Sequence, residues 1–122
     1  MALSEDLPIH KEADDLLDKL IDLSMEMPRF FRYSLGIRMV DENMKILAQI
    51  DRANMMKEER AAHIKELIIS KRQIDMMLRM CYNRKVFSAG RYAVYMKILD
   101  NIGRQATAWK SAAEKDNNKS SE

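Results

Sequence analysis

Cysteine, proline and glycine are scarce: one, two and three residues respectively in a chain of 122, with aromatic side chains at 7%. A lone Cys81 excludes an intramolecular disulfide. With no charged-then-apolar leader after Met1, it points to a reducing cytoplasm. So few helix breakers leave little room for strands and tight turns. No stretch approaches the eighteen uncharged apolar residues that a membrane span requires, so a soluble protein is expected. One Cys and two His are too few for a zinc site, and no glycine-rich phosphate loop is present. A di-iron bundle needs Glu-x-x-His on two helices, but His63 has Arg60 at the glutamate position and His10 lies at a helix start. The chain reads as a non-enzyme without metal or cofactor, and Cys81 as a buried structural thiol.

What is present is apolar residue at 47% interleaved with 33% charge, the mixture of amphipathic helices in a chain long enough for one domain. Residues 1–9 read as an N-terminal extension, 10–115 as the helical domain and 116–122 as a polar, disordered tail. The first helix is expected from about His10 to Met27, with Ala13, Leu16, Leu20 and Leu23 inward and Asp14, Asp15, Asp18, Asp22 and Glu26 outward. The second runs from Arg29 to Ala53, with Tyr33, Gly36, Ile37, Val40, Met44 and Leu47 as its core stripe. The third covers Glu58 to Tyr82 on Ile64, Leu67, Ile74, Leu78 and Cys81. The fourth follows an N-cap at Ser88 and uses Tyr92, Tyr95, Ile98, Leu99, Ile102, Ala106 and Trp109, with Gly103 marking a close helix approach. Short links between these segments predict an all-α, antiparallel up-down-up-down four-helix bundle.

Two helices carry more apolar surface than such a bundle needs. On the third, Ala62, Ile69, Met76 and Met80 form a second stripe away from the core stripe, and its seven-residue spacing suggests packing against another copy. On the second, Leu35, Met39, Ile46, Ile50 and Ala53 widen the apolar arc, either to meet two bundle neighbours or to reach another chain. Met39 joins Met76 and Met80 as a candidate interface residue, since thioethers suit adaptable contacts.

The net charge of +2 conceals a division. Residues 1–27 hold two Lys/Arg against eight Asp/Glu, and the remainder nineteen against eleven. Basic side chains recur every seven residues as Arg38, Lys45 and Arg52 on the second helix, Lys65, Arg72 and Arg79 on the third, and Lys97 and Arg104 on the fourth. Such stripes suit contact with the phosphates of RNA or DNA; the alternative is a solvated face with local salt bridges. Aromatic residues are not interleaved with them, so base stacking is not expected along the stripes.

The segment Met27-Pro28-Arg29-Phe30-Phe31-Arg32-Tyr33-Ser34-Leu35-Gly36 resembles the turn into the second helix of the Avd family, the accessory variability determinants of diversity-generating retroelements. Ile102-Gly103-Arg104 followed by Trp109-Lys110 is similar to that family's Gly-Arg and Trp late in the fourth helix. Leu78-Arg79-Met80 resembles its apolar-Arg-apolar segment in the third. The likeness spans about Leu16 to Ala112. It implies a bacterial or phage-encoded protein whose four-helix bundles assemble into a homo-pentamer and bind a reverse transcriptase and nucleic acid during mutagenic retrohoming. Arg79 and Arg104 are the basic positions carried over by the resemblance. The acidic first helix departs from it, since family members are more strongly basic. A structural oligomeric adaptor without nucleic-acid binding is the alternative function.

Overall fold

The structure, a computed structural model, describes residues 3–121. A short 3-10 turn, Ser4–Asp6, leads into four helices. We label them α1, Pro8–Glu26; α2, residues 29–55; α3, Arg60–Asn83; and α4, Ala89–Ser121. No strand occurs among the described residues. α2 is continuous but not uniform: one turn, Arg29–Phe31, passes through a π-helical turn, Arg32–Gly36, into Ile37–Met55.

Each boundary has a local cause. Pro8 opens α1, where its missing N–H is no loss and its fixed φ suits a helix. Pro28 separates α1 from α2. α2 ends at Met55, and Arg60 reaches back to it: Nε donates to the Ala53 carbonyl at 2.6 Å and Nη2 to that of Asn54 at 3.2 Å. These bonds satisfy carbonyls that the helix end leaves without partners. α3 ends in a Schellman arrangement, with Val86 N donating to Cys81 O at 3.0 Å and Lys85 N to Tyr82 O at 2.9 Å. That motif puts Lys85 in the left-handed region at φ 60°. Ser88 caps α4 as expected, its Oγ accepting from Arg91 N at 3.2 Å.

Consecutive helices pack side by side, and α1 also packs on α4. All four supply one core that includes Leu16, Leu20, Ile46, Ile50, Leu67 and Leu99. The expected stripes of α3 and α4 are where the sequence puts them: Ile64, Leu67, Ile74, Leu78 and Cys81 are fully buried, as are Leu99, Ile102 and Ala106. Trp109 packs against this core, with the Arg60 guanidinium 5.9 Å from its ring centre.

Several expectations need correction. The face of α2 is turned by about one residue: Gly36, Met39, Asn43, Ile46, Ile50 and Ala53 are buried, while Tyr33 and Met44 are 61% and 55% exposed. The true stripe contains a polar residue, Asn43, which donates from Nδ2 to the Ala13 carbonyl at 3.0 Å. Met39 is therefore core, not an interface residue. The N-terminal extension takes part in the fold: α1 begins at Pro8, Ile9 is buried, Leu7 packs on the core and Ser4 Oγ accepts from Asn54. Residues 116–121 continue α4 instead of trailing off, since neither Gly nor Pro interrupts them and the Lys110–Glu114 pair supports the preceding turn. Residues 1 and 2 of the expected extension and residue 122 of the expected tail lie outside the described residues. At Gly103 the close neighbour is no helix backbone but the Lys71 side chain, whose Cε would be 3.3 Å from an added Cβ. The tight glycine is Gly36, where an added Cβ would meet Ser24 Oγ at 2.8 Å.

Candidate nucleic-acid interface

α3 and α4 meet along a seam that is recessed because α4 presents small residues to it: Ala93, Gly103, Thr107 and Ala108. The resulting open groove encloses about 1160 Å³ and is walled by longer side chains, Lys71 and Arg72 from α3 and Lys97 and Arg104 from α4. A second depression of about 620 Å³ shares Ile68, Arg72 and Thr107 with it and adds Lys65 and Lys110. The two form one channel along the seam. Six basic side chains line it, against the carboxylates of Asp100 and Glu114.

Internal pairing removes part of that charge. Lys71 Nζ lies 2.7 Å from Asp75 Oδ2 in a mostly buried pair, and Lys110 pairs with Glu114. Arg104 donates to the neutral amide oxygen of Asn101, which leaves its charge uncompensated. Lys65, Arg72 and Lys97 have no ion pair among the described residues, and all three are exposed. The groove is therefore electropositive along most of its length, in an environment where long flexible cations can follow a polyanion.

Of the eight basic residues singled out by spacing, four come together here: Lys65, Arg72, Lys97 and Arg104. Lys45 and Arg52 line a different groove, between α2 and α3, together with Asp41 and Glu66, and Lys45 pairs with Glu42 at 3.1 Å. Charges of both signs balance there. Arg38 and Arg79 are exposed and line neither groove. Lys71 and Lys110 were missed because a seven-residue rule selects one column per helix, whereas a groove between two helices is walled by both flanks. Lys71 is adjacent in sequence to Arg72, a signal that was legible.

The second apolar stripe of α3 is at the surface. Ile69, Met76 and Met80 are 42%, 43% and 48% exposed, Ala62 is exposed with them, and Lys65, Arg72 and Arg79 run beside the stripe. Cys81 is fully buried, and desolvation pushes its thiol up to about 11, so it is neutral and unreactive at physiological pH. His63 is held by Gln49, 2.8 Å from its Nδ1, beside Glu59 at 3.5 Å. No group of three or more His, Cys, Asp or Glu able to hold a metal ion occurs among the described residues, and no helix there is long and apolar enough to cross a membrane.

These features define an all-α protein of four helices with a basic groove on one seam and an apolar stripe beside it. No protein-family model, curated protein or solved structure matches the chain.

Proposed function

We propose that this protein is a non-enzymatic accessory factor that binds the phosphate backbone of RNA or DNA along the α3–α4 groove. Its partner, by the resemblance to the Avd family, is the reverse transcriptase of a diversity-generating retroelement. The observation that carries the reading is the convergence of Lys65, Arg72, Lys97 and Arg104 from two helices on one groove. Nothing in such a groove distinguishes one base from another, so binding is to charge and shape. The helices run up-down-up-down; pairs such as Glu26 with Arg91 and Glu12 with Asn101 support that order between α1 and α4. The protein works in the cytoplasm as a homo-oligomer, a pentamer by the same resemblance.

A second reading rests on the exposed stripe of Ile69, Met76 and Met80. In it the protein is a structural oligomeric adaptor, and the acidic face of α1 in one copy neutralises the basic groove of the next.

Salt titration of RNA and DNA binding separates the two. Each phosphate contact contributes about −0.9 to the slope of log affinity against log salt on duplex, and about −0.7 on single strands. Replacing Lys65, Arg72, Lys97 and Arg104 by Ala should flatten the slope by roughly three to four contacts and leave sequence preference unchanged. Replacing Arg38, Lys45 and Arg52 should change it little. A quadruple variant that assembles normally and keeps the parent's affinity and slope refutes the nucleic-acid reading and favours the adaptor.

A further inference from the structure

The start of α2 is built unlike the rest of the molecule. Arg32 lies in the π-helical turn and ties it to the end of α1, donating from Nε to the Ser24 carbonyl at 3.0 Å and from Nη2 to those of Met25 at 2.6 Å and Met27 at 3.3 Å. Four residues on, Gly36 presses against Ser24 and Met27 with no room for a side chain. The backbone here is held from both sides, and π-helical turns within helices occur disproportionately at functional sites. What this anchored turn presents to solvent is aromatic. Phe30 is 75% exposed and Tyr33 61%, the two most exposed large rings among the described residues. Phe31 packs against the core and backs Phe30 edge-on, with ring centres 5.5 Å apart at 87°. The Arg29 guanidinium lies 6.0 Å from the Tyr33 ring centre, and Arg29, Phe30, Tyr33 and Ser34 line a shallow depression.

The charge around this platform is mainly positive, with Glu26 as the nearby carboxylate. No Asp or Glu occurs from Met27 to Val40, where Arg29, Arg32 and Arg38 lie, nor from Met76 to Leu99, where Arg79, Arg84, Lys85, Arg91 and Lys97 lie. The two stretches share an end of the molecule, since Arg91 near the start of α4 pairs at 2.6 Å with Glu26, the last residue of α1. Exposed rings on an anchored backbone turn, a guanidinium beside one of them and an excess of cations around them are the components of sequence-tolerant single-strand recognition, in which bases stack and cations take the backbone. An apolar protein partner would not need this excess of cations.

We infer that the start of α2 is a stacking platform for unpaired bases of single-stranded RNA or DNA, with Phe30 and Tyr33 receiving the bases and Arg29 the adjoining phosphate. This rests on the nucleic-acid reading and adds to it a preference for single strands that the groove alone does not provide.

The test compares labelled oligothymidylate and oligouridylate with an abasic strand of equal length and with a duplex, using the full chain. A Phe30→Ala, Tyr33→Ala variant should keep its fold, because both rings are largely exposed. It should lose roughly tenfold per ring on the base-bearing strands. Its affinity for the abasic strand and the duplex should match the parent's, and the salt slope should persist. Phe30→Trp with Tyr33→Phe should restore single-strand binding, and its new indole should be quenched on binding. Unchanged single-strand affinity in the alanine variant, the result expected if the rings serve a protein partner, overturns the inference, as does an equal loss on the abasic strand. If binding depends on the groove residues but not on the rings, the platform alone fails; if the parent binds no nucleic acid, both readings fail.

Discussion

Gly36 and Gly103 both lie within helices, where Gly→Ala ordinarily gains about 1 kcal/mol, yet their surroundings predict opposite outcomes. A methyl group at Gly36 would lie 2.8 Å from Ser24 Oγ, 2.9 Å from Met27 Sδ and 3.2 Å from Ser24 Cβ. All three atoms belong to nearly buried residues at the end of α1, where Arg32 ties down the backbone carbonyls. Neither neighbour can swing into solvent, so the helices must part. Overpacking of this kind costs about 1–3 kcal/mol, and subtracting the propensity gain of about 1 kcal/mol leaves Gly36→Ala destabilised by up to about 2 kcal/mol. At Gly103 the methyl group meets only Lys71, Cε at 3.3 Å and Nζ at 3.5 Å. That chain can move aside by loosening its pair with Asp75, so Gly103→Ala should be neutral or stabilised by up to about 1 kcal/mol. Urea unfolding followed by circular dichroism measures both, with an unchanged m-value as the check that only stability moved. A double cycle with Ser24→Ala should show coupling for Gly36 and none for Gly103. A Gly36→Ala variant that gains the ordinary propensity benefit of about 1 kcal/mol, or a Gly103→Ala variant damaged as much as Gly36→Ala, refutes the packing argument.

Lys85 holds a left-handed conformation at the C-terminal cap of α3, so Lys85→Gly should stabilise the protein by about 0.5–1 kcal/mol, despite the added freedom of the unfolded chain; a lower urea midpoint contradicts this. Cys81 is neutral in the fold until about 11, whereas an unconstrained thiol ionises near 9.0. Ionisation therefore begins in the unfolded chain first, and the stability this thiol contributes is complete below pH 9 and lost as pH rises towards 11. Compared with Cys81→Ala, the parent should lose on the order of 2 kcal/mol more across that window. Parallel stability profiles for the two proteins would remove the basis for this assignment.

The legible parts of the fold were those whose stripes are wholly apolar. α3 and α4 carry unbroken series at helical spacing, and the structure buries them. In α2 the apolar residues compete: Tyr33, Ile37 and Met44 make one plausible face, and Met39, Ile46, Ile50 and Ala53 another. The second contains Asn43, which pattern reading places outside. Burial of Asn43 becomes acceptable only because the Ala13 carbonyl of α1 lies 3.0 Å from its Nδ2, a tertiary contact that no local pattern encodes. The π-helical turn upstream adds to the difficulty, because it breaks the 3.6-residue period between Phe31 and Ile37. The groove was legible by halves: each basic column could be read from its own helix, but the small α4 residues that recess the seam gain meaning only once α3 lies beside them.

The acidic first helix acquires a definite place from the same packing. α4 stands between α1 and the groove, with Arg91 and Asn101 turned towards Glu26 and Glu12 and with Lys97 and Arg104 lining the seam with α3. Other α1 carboxylates pair within their own helix, Asp15 with Lys19 at 2.8 Å and Asp14 with His10 at 2.9 Å. Asn101 links the two sides, donating to Glu12 and accepting from Arg104, so one carboxylate of α1 reaches the groove's edge. Lys65, Arg72 and Lys97 make no ion pair with α1 among the described residues. Under the proposed function the charge that meets this groove is that of a polyanion, and under the adaptor reading it is the α1 of another copy. That is why the salt slope and the state of assembly have to be measured on the same variant.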